Sequence, residues 1–173
     1  MSKNSIRDRF VEIIPIFTVD TTAYAQYDVI GTLGANVGGI RLANVTPESG
    51  GCAKLTHVHI TENTGQTPAL SLYFFTTKPA GGTYTDNSAI VWGLDDYTRR
   101  TGTVRIVAGD WHTNPSSAPD ASVDLSGIEQ IMASADNSRD LWLLIVADAA
   151  YDAGAGADLF MKLKFDRGGD NSR

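Results

Sequence analysis

The sequence predicts an all-β fold: a single-domain antiparallel β-sandwich, jelly-roll-like, with long loops and an N-terminal arm. Three observations carry this expectation. About eight apolar runs have strand length and strand-type alternation. Strong turn signals separate them, such as Pro47-Glu48-Ser49-Gly50-Gly51 and Glu62-Asn63-Thr64-Gly65-Gln66-Thr67-Pro68. Helical periodicity of any length is absent, and long irregular loops favour a sandwich over a simple barrel.

Composition bounds the function classes. The chain has 173 residues, 42% of them apolar. A domain of that length buries roughly 70% of its unfolded surface and needs no disulfide or structural metal to hold a core. The net charge of −6 argues against nucleic-acid binding through phosphates and against adsorption to anionic membranes. Cys52 is the single cysteine, so no intrachain disulfide forms. At the head of a strand, it is expected to be a small buried residue. The start MSKNSIRDRF lacks a signal-peptide core, and no apolar run approaches the ~20 residues of a membrane helix. The expectation is a soluble protein made in a cytoplasm.

The chain divides into an arm (1–10), a β-sandwich domain (11–166) and a polar tail (167–173). The arm carries Arg7 and Arg9, candidate interface residues if it docks on a neighbouring subunit; an untethered terminus frays. Val11 to Val19 is β-rich, and Pro15 marks it as an edge strand or bulge. Tyr27 to Gly31 is a short strand. Val37 to Thr46 places Ile40 and Leu42 on one face, with Arg41, Ala43 and Val45 on the other. Cys52 to Thr61 alternates next, with Leu55, His57 and His59 on one side and Thr56, Val58 and Ile60 on the other. These two runs read as a hairpin.

Leu70 to Trp92 is the richest aromatic block. It begins as a central strand through Phe75, breaks at Pro79-Ala80-Gly81-Gly82, and re-enters the sheet at Ala89 to Trp92. Thr98 to Ala108 is a β-branched strand. Residues 109–121 form a polar loop around Trp111, whose ring must bury against its own sandwich or a partner; it is the third candidate interface residue. Ser122 to Leu125 and Ile128 to Met132 are short β or turn segments, with one helical turn as an option over Gly127 to Met132. Leu141 to Ala147 is apolar enough to be buried on both faces, with Trp142 in the core. Leu159 to Phe165 points Met161, Leu163 and Phe165 inward and Lys162 and Lys164 outward.

Little of this carries chemistry. His57 and His59 share a strand face, as two metal ligands would, but a site needs a third and usually a fourth ligand. Glu62 falls in the turn and His112 in a distant loop, so polar residues on a sheet face or at a subunit contact are the simpler reading. Residues 152–158 lack the ordered carboxylates of a calcium loop. No dinucleotide fingerprint, Walker motif or nucleophile elbow is present. We expect no enzyme activity and no cofactor. Asp86 and Asn87 read as a structural turn, their side chains bonding nearby backbone amides.

One pattern goes further. Leu72, Phe74, Phe75, Pro79, Thr83, Thr85, Asp86, Asn87 and Ala89 form a strand ending in aromatics, then Pro, Thr, Asp-Asn and a small residue. With Tyr27-Asp28-Val29-Ile30-Gly31, the late Leu141 to Ala147 strand, Tyr151 and a last strand ending near Asp166, this resembles the head decoration (cement) proteins of tailed bacteriophages. The resemblance spans roughly residues 24–166 and departs from the pattern at Gly81-Gly82 and in the polar loop 109–121. It implies a β-sandwich subunit, commonly a homotrimer, that binds the major capsid protein outside the phage head and stabilises the expanded shell, with no nucleic-acid or membrane partner. The alternative is a carbohydrate- or receptor-binding β-sandwich module of a phage tail or fibre.

Overall fold

Strands with one apolar face must stack to hide it, and here they stack as two five-stranded sheets. The computed structural model describes residues 9–15, 19, 22–31, 39–114, 120–152 and 159–168. Arg7 and most of the arm, and the tail from residue 169, lie outside them. The elements are β1 (Phe10–Ile13), β2 (Val29–Ile30), β3 (Ile40–Leu42), β4 (Cys52–Glu62), β5 (Leu70–Phe75), α1 (Leu94–Arg99), β6 (Arg100–Ile106), β7 (His112–Asn114), β8 (Asp120–Ala133), β9 (Leu141–Ala147) and β10 (Leu159–Asp166). The first sheet runs β1-β10-β4-β8-β7. The second runs β2-β9-β5-β6, with β3 also pairing β9. Every strand pairing is antiparallel.

The main core lies between the sheets. Leu55, Val58, Ile60, Met161, Leu163 and Phe165 face Leu72, Phe74, Leu143 and Ile145 in one buried cluster. Phe74 meets Phe165 edge-on at 6.4 Å between centroids, a favourable aromatic geometry. β9 is buried on both sides. Leu141, Leu143, Ile145 and Ala147 enter the main core, while Leu144 and Val146 join a second cluster with Val29, Phe75 and Tyr84 on the outer face. The chain after β5 covers that outer face.

Several expectations need correction. The runs around β3 and β4 do not form a hairpin: β3 pairs β9, whereas β4 pairs β10 and β8, so the turn between them crosses from one sheet to the other. Leu55 does not share a face with His57 and His59. The ladder slips between Leu55 and His57, where Gly127, Ile128 and Glu129 of β8 oppose Thr56 alone. That bulge resets the phase, so Leu55, Val58 and Ile60 are all buried. Gly127 and Glu129 take positive φ of 70° and 51° there. The segments around 122–132 are therefore one bulged strand, with no helical turn. Val45 is buried because β3 ends at Leu42 and Asn44 turns through φ 54°, re-aiming the chain. β1 stops at Ile13, before Pro15, and is an edge strand. Cys52 is exposed, since Ala53 is the inward residue at the head of β4.

The loop expected over 109–121 includes a short 3₁₀ turn (Ala108–Asp110) and β7. The strand expected from Thr98 starts at Arg100, because α1 occupies the residues before it. Trp142 sits half-buried against the outer cluster rather than in the main core. Ala89 to Trp92 does not re-enter the sheet as a strand and forms single bridges only, Thr83 with Val91 and Asp28 with Ala89.

The exposed edge of β6 is bridged to the other sheet. With its amide turned so that donor meets acceptor, the Gln130 side chain donates to the Thr103 carbonyl (3.0 Å) and accepts from the Thr103 amide (3.1 Å), as a neighbouring strand would. The Ala133 amide donates to Thr101 Oγ1 at 2.9 Å. Unpaired edges template association, and these side chains occupy part of this one.

Candidate interaction surface

Residues 76–99 cross the outer face of the second sheet and build an aromatic surface there. Phe75 ends β5, and the chain leaves through Pro79 and the Gly81-Gly82 pair. Thr83 and Val91 then hydrogen-bond each other's backbones (2.9 and 3.3 Å), closing a loop. Within it, Asp86 and Asn87 sit where the chain doubles back along β2. Asp86 Oδ1 accepts from the Gly31 amide (2.8 Å) and the Tyr24 hydroxyl (3.1 Å). Asn87 takes φ 53° and its amide donates to the Val29 carbonyl at 2.9 Å. Short polar side chains tolerate that left-handed conformation best.

A buried carboxylate locks the far end. Asp96, in the first turn of α1, is fully buried. It accepts from the Gly81 amide (2.9 Å), the Ala80 amide (3.3 Å) and the Tyr84 hydroxyl. The Gly93 amide in turn donates to the Tyr84 oxygen at 3.2 Å. Asp95 and Asp96 in the first turn and Arg99 in the last complement the helix dipole. The backbones touch so closely that only glycine fits. A Cβ on Gly93 would lie 2.3 Å from the Gly81 carbonyl carbon, and one on Gly82 would lie 1.9 Å from the Val91 oxygen. This is the structural use of the Gly81-Gly82 pair. Burial, then the bond to Asp96, pushes the Tyr84 hydroxyl up to about 12.

Trp92 is the hub of the surface. Its ring lies 4.9 Å from Tyr73, 5.8 Å from Tyr97, 6.1 Å from Tyr84 and 6.2 Å from Phe75. The Arg100 guanidinium stands over Tyr73, Trp92 and Tyr97 at 5.7, 6.0 and 5.8 Å, and Lys78 stands over Trp142 at 5.7 Å. Beside this platform Leu94 is 83% exposed, Val91 58% and Tyr97 49%. Tyr, Trp and Arg are the residue types enriched at protein-binding hot spots.

The residues singled out in the sequence lie elsewhere. Trp111 is 7% exposed in the main core, with its indole N–H donating to the Pro68 carbonyl at 2.9 Å. Its ring is thus buried in its own sandwich. Arg9 is half-exposed and forms a two-pronged pair with Asp166 (3.0 and 2.9 Å), pinning β1 to β10. Those bonds, with one from the Gly168 amide, outweigh partial burial and hold Asp166 below the usual carboxylate range. His57 Nε2 lies 3.0 Å from Asp124, and His59 bonds Thr61 at 3.2 Å. Glu62 is buried and bonded to the Thr64 and Gln66 amides (2.9 and 2.7 Å), so it serves the turn. Among the described residues no three His, Cys, Asp or Glu side chains gather as metal ligands.

Sequence patterning gives no sign of the role of Gly93 to Tyr97. A six-residue helix is too short to show periodicity, and nothing local in Gly-Leu-Asp-Asp-Tyr says that Leu94 faces outward while Asp96 faces in. No protein-family model matches the chain, and no curated protein matches it.

Proposed function

We propose that this chain is a structural virion protein: a capsid decoration subunit that binds the outside of a tailed-phage head as a homotrimer and stabilises the expanded shell. The observation that carries the reading is the braced surface of Val91, Leu94, Tyr97 and Arg100. Exposed apolar side chains held on a rigid frame suit a protein partner, because little conformational entropy is lost on docking. Of the residues that resemble decoration proteins, Phe75 and Thr83 take part in this frame, through the Trp92 ring and the Val91 backbone. The role requires no reacting group. A subunit that buries more surface on the expanded shell than on the procapsid stabilises the expanded state by linkage.

A carbohydrate-binding module is the second reading, favoured by the half-exposed Tyr97 ring against Trp92. Mixing purified protein with mature heads and with procapsids separates the two. A decoration subunit binds mature heads saturably and procapsids less, and it migrates free in solution at three times the monomer mass. No saturable binding to mature heads, with binding on a glycan array, assigns the sugar reading instead.

A further inference from the structure

We infer that the capsid-facing contact is the outer face formed by Lys78, Val91, Leu94, Tyr97, Arg99 and Arg100, and that it takes a protein surface with an apolar anchor flanked by carboxylates. This rests on the decoration reading and adds the docking face and the chemistry of its partner.

The apolar part follows from exposure. Leu94 and Val91 are 83% and 58% exposed, yet they stand on a frame fixed by Asp96 and by glycine backbones in contact. The acidic part follows from the distribution of cations. The chain carries a net charge of −6, and Arg9, Arg41, Lys54 and Arg105 each have a carboxylate within 4.0 Å. Among the described residues none lies that near to Lys78, Arg99 or Arg100, and the one carboxylate exposed on α1 is Asp95. Three cations without ion-pair partners among the described residues therefore border the apolar patch of an acidic protein. Arg100 is stacked on three rings, which orients its planar fork before any partner arrives. A carboxylate meeting that fork gains two parallel charge-assisted bonds.

The opposite layer offers a weaker rival. Phe10 and Phe160 are 39% and 43% exposed, with Lys164 and Lys162, which likewise have no carboxylate within 4.0 Å among the described residues, over their rings at 5.0 and 5.6 Å. Ile131 on β8 is 67% exposed on this layer, but it stands on a strand of the sheet, whereas Val91 and Leu94 project from the glycine-locked segment outside the sheet; this face serves as the control.

The test titrates four proteins onto mature heads of the phage that encodes the chain: wild type, Leu94→Asp, Arg100→Glu and Lys162→Glu. Circular dichroism and melting confirm that each is folded. Wild type binds and weakens as salt rises from about 0.05 to 0.5 M, because screening shortens the reach of its cations. Leu94→Asp and Arg100→Glu lose at least about tenfold in affinity, and Lys162→Glu binds as wild type. Folded Leu94→Asp and Arg100→Glu proteins that bind as wild type overturn the assignment of the face and leave the decoration role standing. Wild type that fails to bind overturns both.

Discussion

At the residue scale, Asp96 determines whether the outer surface holds its shape. Its fully buried carboxylate accepts from the amides of the exposed residues Ala80 and Gly81 and from the buried Tyr84 hydroxyl. Asp96→Ala leaves the buried Tyr84 hydroxyl without its acceptor, which costs about 1–3 kcal/mol for one stranded group, while the Ala80 and Gly81 amides lie near solvent. We expect a loss of about 1–3 kcal/mol in denaturant unfolding and a red shift of tryptophan emission as Trp92 loses its cover. Tyr84 sets an alkaline limit. Its folded-state pKa of about 12 lies above the ordinary value near 10, so folding favours the protonated hydroxyl. That contribution is fully present below pH ~10 and is lost as pH rises from there through ~12. The unfolding midpoint should therefore fall across that window, and Tyr84→Phe should flatten the fall; an equally steep fall in the variant would contradict the assignment. Tyr151, raised by burial and then by Glu62, adds to the same limb and leaves a residual slope.

At the element scale, some features were legible and others were not, for physical reasons. β5, β9 and β10 could be read because a short apolar or alternating run, closed at each end by turn residues, fits a strand and little else. The inward set Met161, Leu163 and Phe165 and the double burial of Leu141 to Ala147 followed from it. β4 was found, but its phase was lost at Thr56. A bulge displaces the ladder without a marker on the strand that changes phase, and the clue, Gly127, lies some seventy residues away on the partner strand. α1 is too short to show a period. Its main determinants are tertiary: the Asp96 bonds to residues 80–84 and the glycine contact between Gly81 and Gly93. The β3–β4 pairing failed because a turn signal shows that the chain reverses, and does not show whether it stays in one sheet.

At the scale of the molecule, alternation and turn spacing identify a two-layer β-sandwich with one main core. They do not reveal that the second sheet is covered twice, by the first sheet inside and by residues 76–99 outside. Trp111 drew attention because a tryptophan in a polar loop looks available, yet it fills its own core. The aromatic surface around Trp92 was hidden in the most core-like stretch of the chain. Composition cannot tell a ring that closes a core from one that ends at its surface. The division of labour is now explicit. The inner faces provide stability, Arg9 and Asp166 fasten the edge strand, and the outer face of the second sheet carries the braced apolar and cationic patch on which the proposed docking depends.

Backbone hydrogen exchange of the protein bound to mature heads, compared with the free protein, tests that dependence most directly. The account predicts added protection concentrated in Val91 to Arg100 and around Lys78, with β10 and β1 on the opposite layer exchanging as in the free protein. Protection centred on β1 and β10, with Val91 to Arg100 unchanged, would contradict it.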